Sequence, residues 1–166
     1  FSRVVSQDLY PFLKDIQAPT LLIWGSEDTE TPLWMGEQME KAIHDFLRLR
    51  KGDALVGNVP GVCYGELPPH SLCAVSEWGM LAQYYAFTGD KTALRQGFEP
   101  TVAYLKLWDM QQDGLVAPRT GNWRWFDHLE HIDEPVLENA WYYSALKFAR
   151  HMADELGVHD HDALLE

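Results

Sequence analysis

From Pro60 onward the apolar residues return at helical intervals with polar residues between them. Leu72, Val75, Leu81, Tyr84 and Tyr85 predict one helix from about residue 70, which Thr88-Gly89-Asp90 brings to a stop. Asp90 can cap a short second helix. Pro100 suits the first turn of a third, where a missing N–H leaves no helical bond unmade. On that third helix Val102, Leu105 and Trp108 form one stripe, with Leu107 beside it. Asp113-Gly114 signals a turn, and LVAPRTGNWRWF after it mixes turn residues with aromatics, with at most short strands. The final helix has the clearest pattern: Asp133 caps it and Pro135 opens it. Leu137, Trp141, Ala145, Phe148 and Met152 mark its buried face, and Gly157 closes it. The tail HDHDALLE at 159–166 reads as frayed or as the start of another helix, with no structural role expected for His159 or His161. Near the beginning, Thr20 to Trp24 is a short apolar run opened by Pro19 and closed by Gly25, which suits a fully buried parallel strand.

Composition narrows the range of partners. Hydrophobic residues make up 46% of the chain and aromatics 13%, enough for a core with rings left over for stacking. The net charge of −12 is uneven: residues 1–52 carry 6 basic and 8 acidic side chains, and residues 53–166 carry 7 and 17. Such a surface repels phosphate backbones, so neither nucleic acid nor an anionic membrane is an expected partner. No apolar run approaches the roughly 18 residues of a membrane helix. Cys63 and Cys73 are the two cysteines; two give no disulfide framework, and free thiols are expected. The chain opens at Phe1 without an initiator methionine, as expected for a piece of something longer, and shows no signal peptide.

The densest chemistry lies at 123–143, read as WRWFDHLEHIDEPVLENAWYY. Trp123, Trp125 and Phe126 stand among five carboxylates: Asp127, Glu130, Asp133, Glu134 and Glu138. Indole faces stack on the apolar faces of sugar rings, and carboxylates accept hydrogen bonds from ring hydroxyls. The opposing reading is a helix start that collects acids because its free N–H groups favour negative charge, with aromatics that are simply core. His128 and His131, with Asp127, invite a metal, but their spacing matches neither H-E-x-x-H nor its inverse, and none is expected.

From about Asp53 to Val158 the chain resembles part of the six-hairpin domain of bacterial α-L-rhamnosidases. The matching blocks are NVPG at 58–61, GELP at 65–68, HSLCAVSEWGMLAQYYAFTGDK at 70–91, DGLV at 113–116 and GNWRWFDHLEHIDEPVLENAWYYSALKFARHMADELG at 121–157. Phe126, His128, Leu129 and His131 replace the usual types where relatives resemble WxWGDWGEN. The resemblance implies a partial (α/α)6 toroid, and it implies that Trp123, Trp125, Asp127, Glu130 and Glu66 contact a rhamnose-containing glycan. Because it puts GELP at a pocket rim, Glu66 and Glu77 are candidate sugar ligands, against the capping or surface roles such acids more often have. Glycoside hydrolysis usually takes two carboxyl groups, one on each side of the bond. The resemblance puts the acid upstream of the matched region and the base downstream of Glu166, so no catalytic residue is expected within the chain.

Residues 1–52 resemble something else. DLYPFLKDIQAPTLLIWGSEDTETP, at 8–32, is similar to the late part of an α/β-hydrolase, with Thr20–Trp24 as a core strand and Asp28 as the remnant of the triad acid. No G-x-S-x-G elbow occurs in the chain, and an acid without nucleophile and base cannot run acyl transfer. The expected fold class is therefore mainly α, with partial toroid hairpins over 53–166 preceded by a β-α piece over 1–52. A natural fusion, an assembly artefact and an engineered joining would all read this way. The function expected is an incomplete glycoside hydrolase module that carries sugar-pocket wall residues and needs no cofactor. The alternatives are an α/β-hydrolase relative, resting on residues 1–52, and a non-catalytic helical binding module. Self-association is expected through apolar flanks that missing hairpins would cover.

Overall fold

The protein is described by a computed structural model, which covers residues 33–56, 65–122 and 131–165. The expected strand Thr20–Trp24, Cys63 and the block at 58–61 lie outside the described residues. Helix α1 (Leu33–Phe46) buries Ile43 and Phe46 in its last turn, and Leu47 follows them inward. Strand β1 (Arg50–Lys51) then turns at Gly52 into antiparallel strand β2 (Ala54–Leu55), with Arg50 opposite Leu55. The junction expected near residue 52 lies at the tip of this hairpin. Ile43, Phe46 and Leu47 before it, and Leu55 and Val56 after it, belong to one apolar cluster. Burying side chains of this size stabilises by roughly 1.5–3 kcal/mol each, so residues 43–47 contribute appreciably to that core.

The remainder is mainly helical: α2 (Pro68–Ala74), α3 (Met80–Thr88), α4 (Lys91–Leu105), α5 (Glu134–Leu156) and α6 (Asp162–Leu165). The only other extended pairing among the described residues is the bridge between Met110 and Val116. Helix α4 packs on α5, α2 also packs on α5, and β2 lies against α4. Between them Leu94, Phe98, Val102 and Leu105 meet Ala145, Phe148, Ala149 and Met152, with Leu72 alongside. At Gly97 a Cβ would stand 2.4 Å from the Leu81 side chain, so the absent side chain is what lets α4 approach α3.

Four expectations need correction. The single helix from residue 70 to Thr88 is two, broken between Ala74 and Met80. Ser76 Oγ donates to the Cys73 carbonyl at 2.8 Å and accepts from Trp78 N–H at 3.1 Å, offering the backbone an alternative to the helical ladder. Pro100 lies inside α4 rather than at the start of a helix. Its missing N–H leaves the Gln96 carbonyl without a helical donor, and Arg50 Nη2 reaches that oxygen at 3.4 Å. The buried face of α5 is turned by one residue in its first half, where Glu138 and Tyr142 are buried and Leu137 and Trp141 are half-buried. Tyr142 donates to the Leu105 carbonyl at 3.3 Å, and Glu138 accepts a backbone bond, so polar partners draw these two inward. His161 does have a structural role. Its Nε2 lies 3.1 Å from Glu99 and its Nδ1 3.2 Å from Lys106, and its ring packs 5.8 Å from that of Phe98, which fastens the tail to α4.

The caps follow the expected chemistry. Asp90 accepts from Thr92 N–H at 2.8 Å, Asp133 accepts from Val136 N–H at 3.2 Å, and Gly157 closes α5 at φ 67°. Val102, Leu105 and Trp108 are buried on one stripe, while Leu107 is exposed. Large apolar side chains left exposed include Trp34, Trp78, Phe87 and Tyr143. No helix among the described residues is long and apolar enough to cross a membrane.

Candidate functional site

Two glycine-led turns distant in sequence interlock, and a buried carboxylate sits where they meet. Glu66 N–H donates to Asn122 Oδ1 at 2.9 Å, and Asn122 N–H donates to the Glu66 carbonyl at 2.7 Å. The contact is too close for side chains on the preceding residues. A Cβ on Gly65 would lie 2.4 Å from Asn122 Oδ1, and one on Gly121 would lie 2.6 Å from the Glu66 carbonyl. Both glycines have positive φ, 72° and 52°, which other residues rarely adopt. GELP and the GN that opens the aromatic loop are thereby clasped together.

The Glu66 side chain is 0% exposed. Arg119 holds it with two nearly parallel bonds, Nε to Oε1 at 2.8 Å and Nη2 to Oε2 at 3.1 Å, the fork geometry that makes arginine–carboxylate pairs strong. Lys51, on β1, places Nζ 3.6 Å from Oε2, and Tyr104, on α4, donates to Oε1 at 3.4 Å. Burial pushes the Glu66 carboxyl pKa up, but Arg119, Lys51 and Tyr104 together outweigh it, and the group titrates below its ordinary value. The bonds to Glu66 in turn raise the Arg119 pKa. The Tyr104 phenol is also raised, first by burial and then by the Glu66 charge. This carboxylate is ionised at neutral pH and faces a guanidinium rather than solvent.

Arg119 reaches further. Its guanidinium lies 5.7 Å from the Trp108 ring centroid and donates to the Leu107 carbonyl. Its backbone N–H donates to Glu138 Oε2 at 3.1 Å, tying this segment to α5. Asn139, next on α5, completes the link: its Oδ1 accepts from Val116 N–H at 2.8 Å, and its Nδ2 donates to the Val116 carbonyl. The segment 116–122 is therefore pinned both to α5 and to the residues that follow α4.

Of the sequence-predicted site residues, Glu66 is at the centre of this hub, while Trp123, Trp125, Asp127, Glu130 and Asp28 lie outside the described residues. Asn122 immediately precedes that aromatic stretch, and His131, at φ 60°, follows it. An open depression of about 610 Å³ is lined by residues 131–135, next to His131 and the start of α5. Glu77 is elsewhere, paired on the surface with Lys147 at 2.8 Å. Among the described residues no group of His, Cys, Asp and Glu could hold a metal ion. Cys73 is a free thiol whose pKa burial pushes up.

Sequence reasoning missed Arg119, Asn122 and Tyr104. A signal for the ion pair was present: Glu66 is the single Asp, Glu, Lys or Arg from Ala54 to Ser76, and Arg119 the single Lys or Arg from Leu107 to Trp123. A lone charge in a largely apolar stretch, as Glu66 is, needs a partner if it is buried. Comparisons with protein-family models, curated proteins and solved structures find no match to this chain.

Proposed function

We propose that the chain from Asp53 onward is part of a helical-hairpin glycoside hydrolase module of α-L-rhamnosidase type, an incomplete (α/α)6 toroid that supplies one wall of a sugar pocket. The observation that carries this reading is the Glu66–Asn122 clasp. It joins two blocks on which the resemblance rests, GELP and the GN before Trp123, at 2.7 and 2.9 Å although they lie 56 residues apart. In this reading Trp123 and Trp125 stack on the ring of a rhamnose-containing glycan, and Asp127 and Glu130 accept its hydroxyls. Both carboxylate oxygens of Glu66, in the first of these blocks, are committed to Arg119. The acid and base of hydrolysis lie outside this chain, and residues 1–52, with Asp28, are an α/β-hydrolase-type piece without its nucleophile.

Titration with L-rhamnose, followed by tryptophan fluorescence or NMR, tests the proposal. The expected result is a saturable shift that Asp127→Ala weakens. No shift up to high millimolar sugar would remove the sugar reading. Turnover of an aryl α-L-rhamnoside by the isolated chain would show that its own carboxylates suffice, and would overturn the assignment of acid and base elsewhere. Hydrolysis of p-nitrophenyl esters that disappears in Asp28→Asn would favour the esterase alternative.

A further inference from the structure

Arg119 has no place in the sugar reading, yet its side chain and backbone together tie the hub to α5 and to the residues that follow α4. Its fork fills both oxygens of a fully buried Glu66, its backbone is held by Glu138, and its guanidinium covers Trp108. Three residues further on, Asn122 closes the clasp to the Glu66 backbone. We propose that Arg119 is a positioning residue for sugar binding: through Glu66 and Asn122 it fixes where the chain enters the stretch that begins at Trp123. This rests on the sugar reading above and deepens it, because it assigns Glu66 a role through Arg119 in place of direct contact with the ligand. The physical reason is pre-organisation. A binding group held by a locked supporting shell loses little freedom when its ligand arrives, and a looser support weakens binding without removing any ligand contact. Lysine cannot substitute, since a single ammonium does not reproduce two parallel bonds and a planar face over an indole.

The test uses the full chain with two readouts: the indole N–H resonances without sugar, and the Kd for L-rhamnose. In Arg119→Lys the Trp123 and Trp125 resonances should move while those of Trp34 and Trp78 stay, and the Kd should rise roughly ten-fold from lost pre-organisation, with every ligand contact still available. Asn122→Ala, which leaves the ion pair in place, should move the same two resonances and serves if Arg119→Lys does not fold. Lys91→Gln, in a surface pair with Glu155, should change neither readout. Unmoved Trp123 and Trp125 resonances in folded Arg119→Lys or Asn122→Ala would overturn the positioning role whatever the sugar does. A Glu66→Gln variant that weakens L-rhamnose without moving them would overturn it in favour of direct contact. If the wild type binds no L-rhamnose, the sugar reading falls, and the resonance shifts still report whether Arg119 sets the entry to Trp123.

Discussion

Helix α4 takes part in two interiors of opposite character. Along one stretch Leu94, Phe98 and Val102 meet Ala145, Phe148 and Met152, a seam with nothing to satisfy but volume. At its C-terminal end Tyr104 and Trp108 border a hub in which Glu66 and Arg119 are joined by a fork and surrounded by rings. The seam gains free energy from area removed from water, which is non-directional and tolerates neighbours of similar size. In the hub, desolvating two charges offsets most of what their attraction returns, so what the pair contributes chiefly is geometry. Stability is therefore concentrated in the seam, and the placement of the chain before Trp123 in the hub.

Truncation of the seam should give the largest effect. Phe148 is buried in the apolar cluster that α5 shares with α4, and Phe148→Ala should cost about 4 kcal/mol from lost transfer and the cavity left behind. Urea unfolding followed by circular dichroism checks it, and a cost within error of zero would mean that the seam is not the core. Breaking the hub from one side comes next. Arg119→Met leaves Glu66 with Lys51 and Tyr104 as its side-chain partners among the described residues, and should cost about 3 kcal/mol. The contrast lies in the double variant Glu66→Leu/Arg119→Met, which removes both charges and should recover most of that loss. If it recovers nothing, the hub is itself a source of stability and the division drawn above is wrong.

Acid separates the two regions without mutation. Burial raises the Glu66 pKa, but its three partners lower it further, below the ordinary value of 4.5. A group with a depressed folded-state pKa lends stability that is present above its unfolded pKa and is lost as pH falls through the folded one. The urea midpoint should therefore fall from about pH 6 to about pH 3 more steeply in the wild type than in Glu66→Gln, while Phe148→Ala keeps the wild-type slope. Equal slopes for wild type and Glu66→Gln would place the acid sensitivity elsewhere.

What could be read from the sequence divides along the same line. The seam was legible because helical periodicity records which face is buried: Phe148, Ala145 and Met152 on α5, and Val102 and Leu105 on α4, all lie inside. The caps Asp90 and Asp133 were legible because capping is local chemistry. The hub was not, since its bonds join residues 12 to 56 positions apart and periodicity carries no information about distant polar partners. The same blindness explains the turned face at the start of α5. A pattern weighted by hydrophobicity places Leu137 and Trp141 inside and cannot foresee that Arg119 N–H and the Leu105 carbonyl draw Glu138 and Tyr142 there instead. The continuous helix expected from residue 70 failed for a second reason, because Ser76 competes for the backbone over only two or three residues.

The smallest expected effect offers the finest separation. Asp90 and Asp133 cap α4 and α5 by the same bond from side-chain oxygen to backbone N–H, so Asp90→Ala and Asp133→Ala should each cost about 1 kcal/mol. Tyr84, which also donates to Asp90 at 3.4 Å, should make the first slightly the larger. Their places differ more than their chemistry. Asp90 starts α4 beyond α3, whereas Asp133 follows His131 and Ile132 at the other end of the stretch that begins at Trp123. If that stretch is held at both ends, Asp133→Ala should weaken L-rhamnose binding and move the Trp125 indole resonance, while Asp90→Ala, at similar stability, should do neither. Parallel losses of binding in the two variants would mean that affinity tracks global stability. In that case the difference between seam and hub would be one of chemistry alone, with no consequence for function.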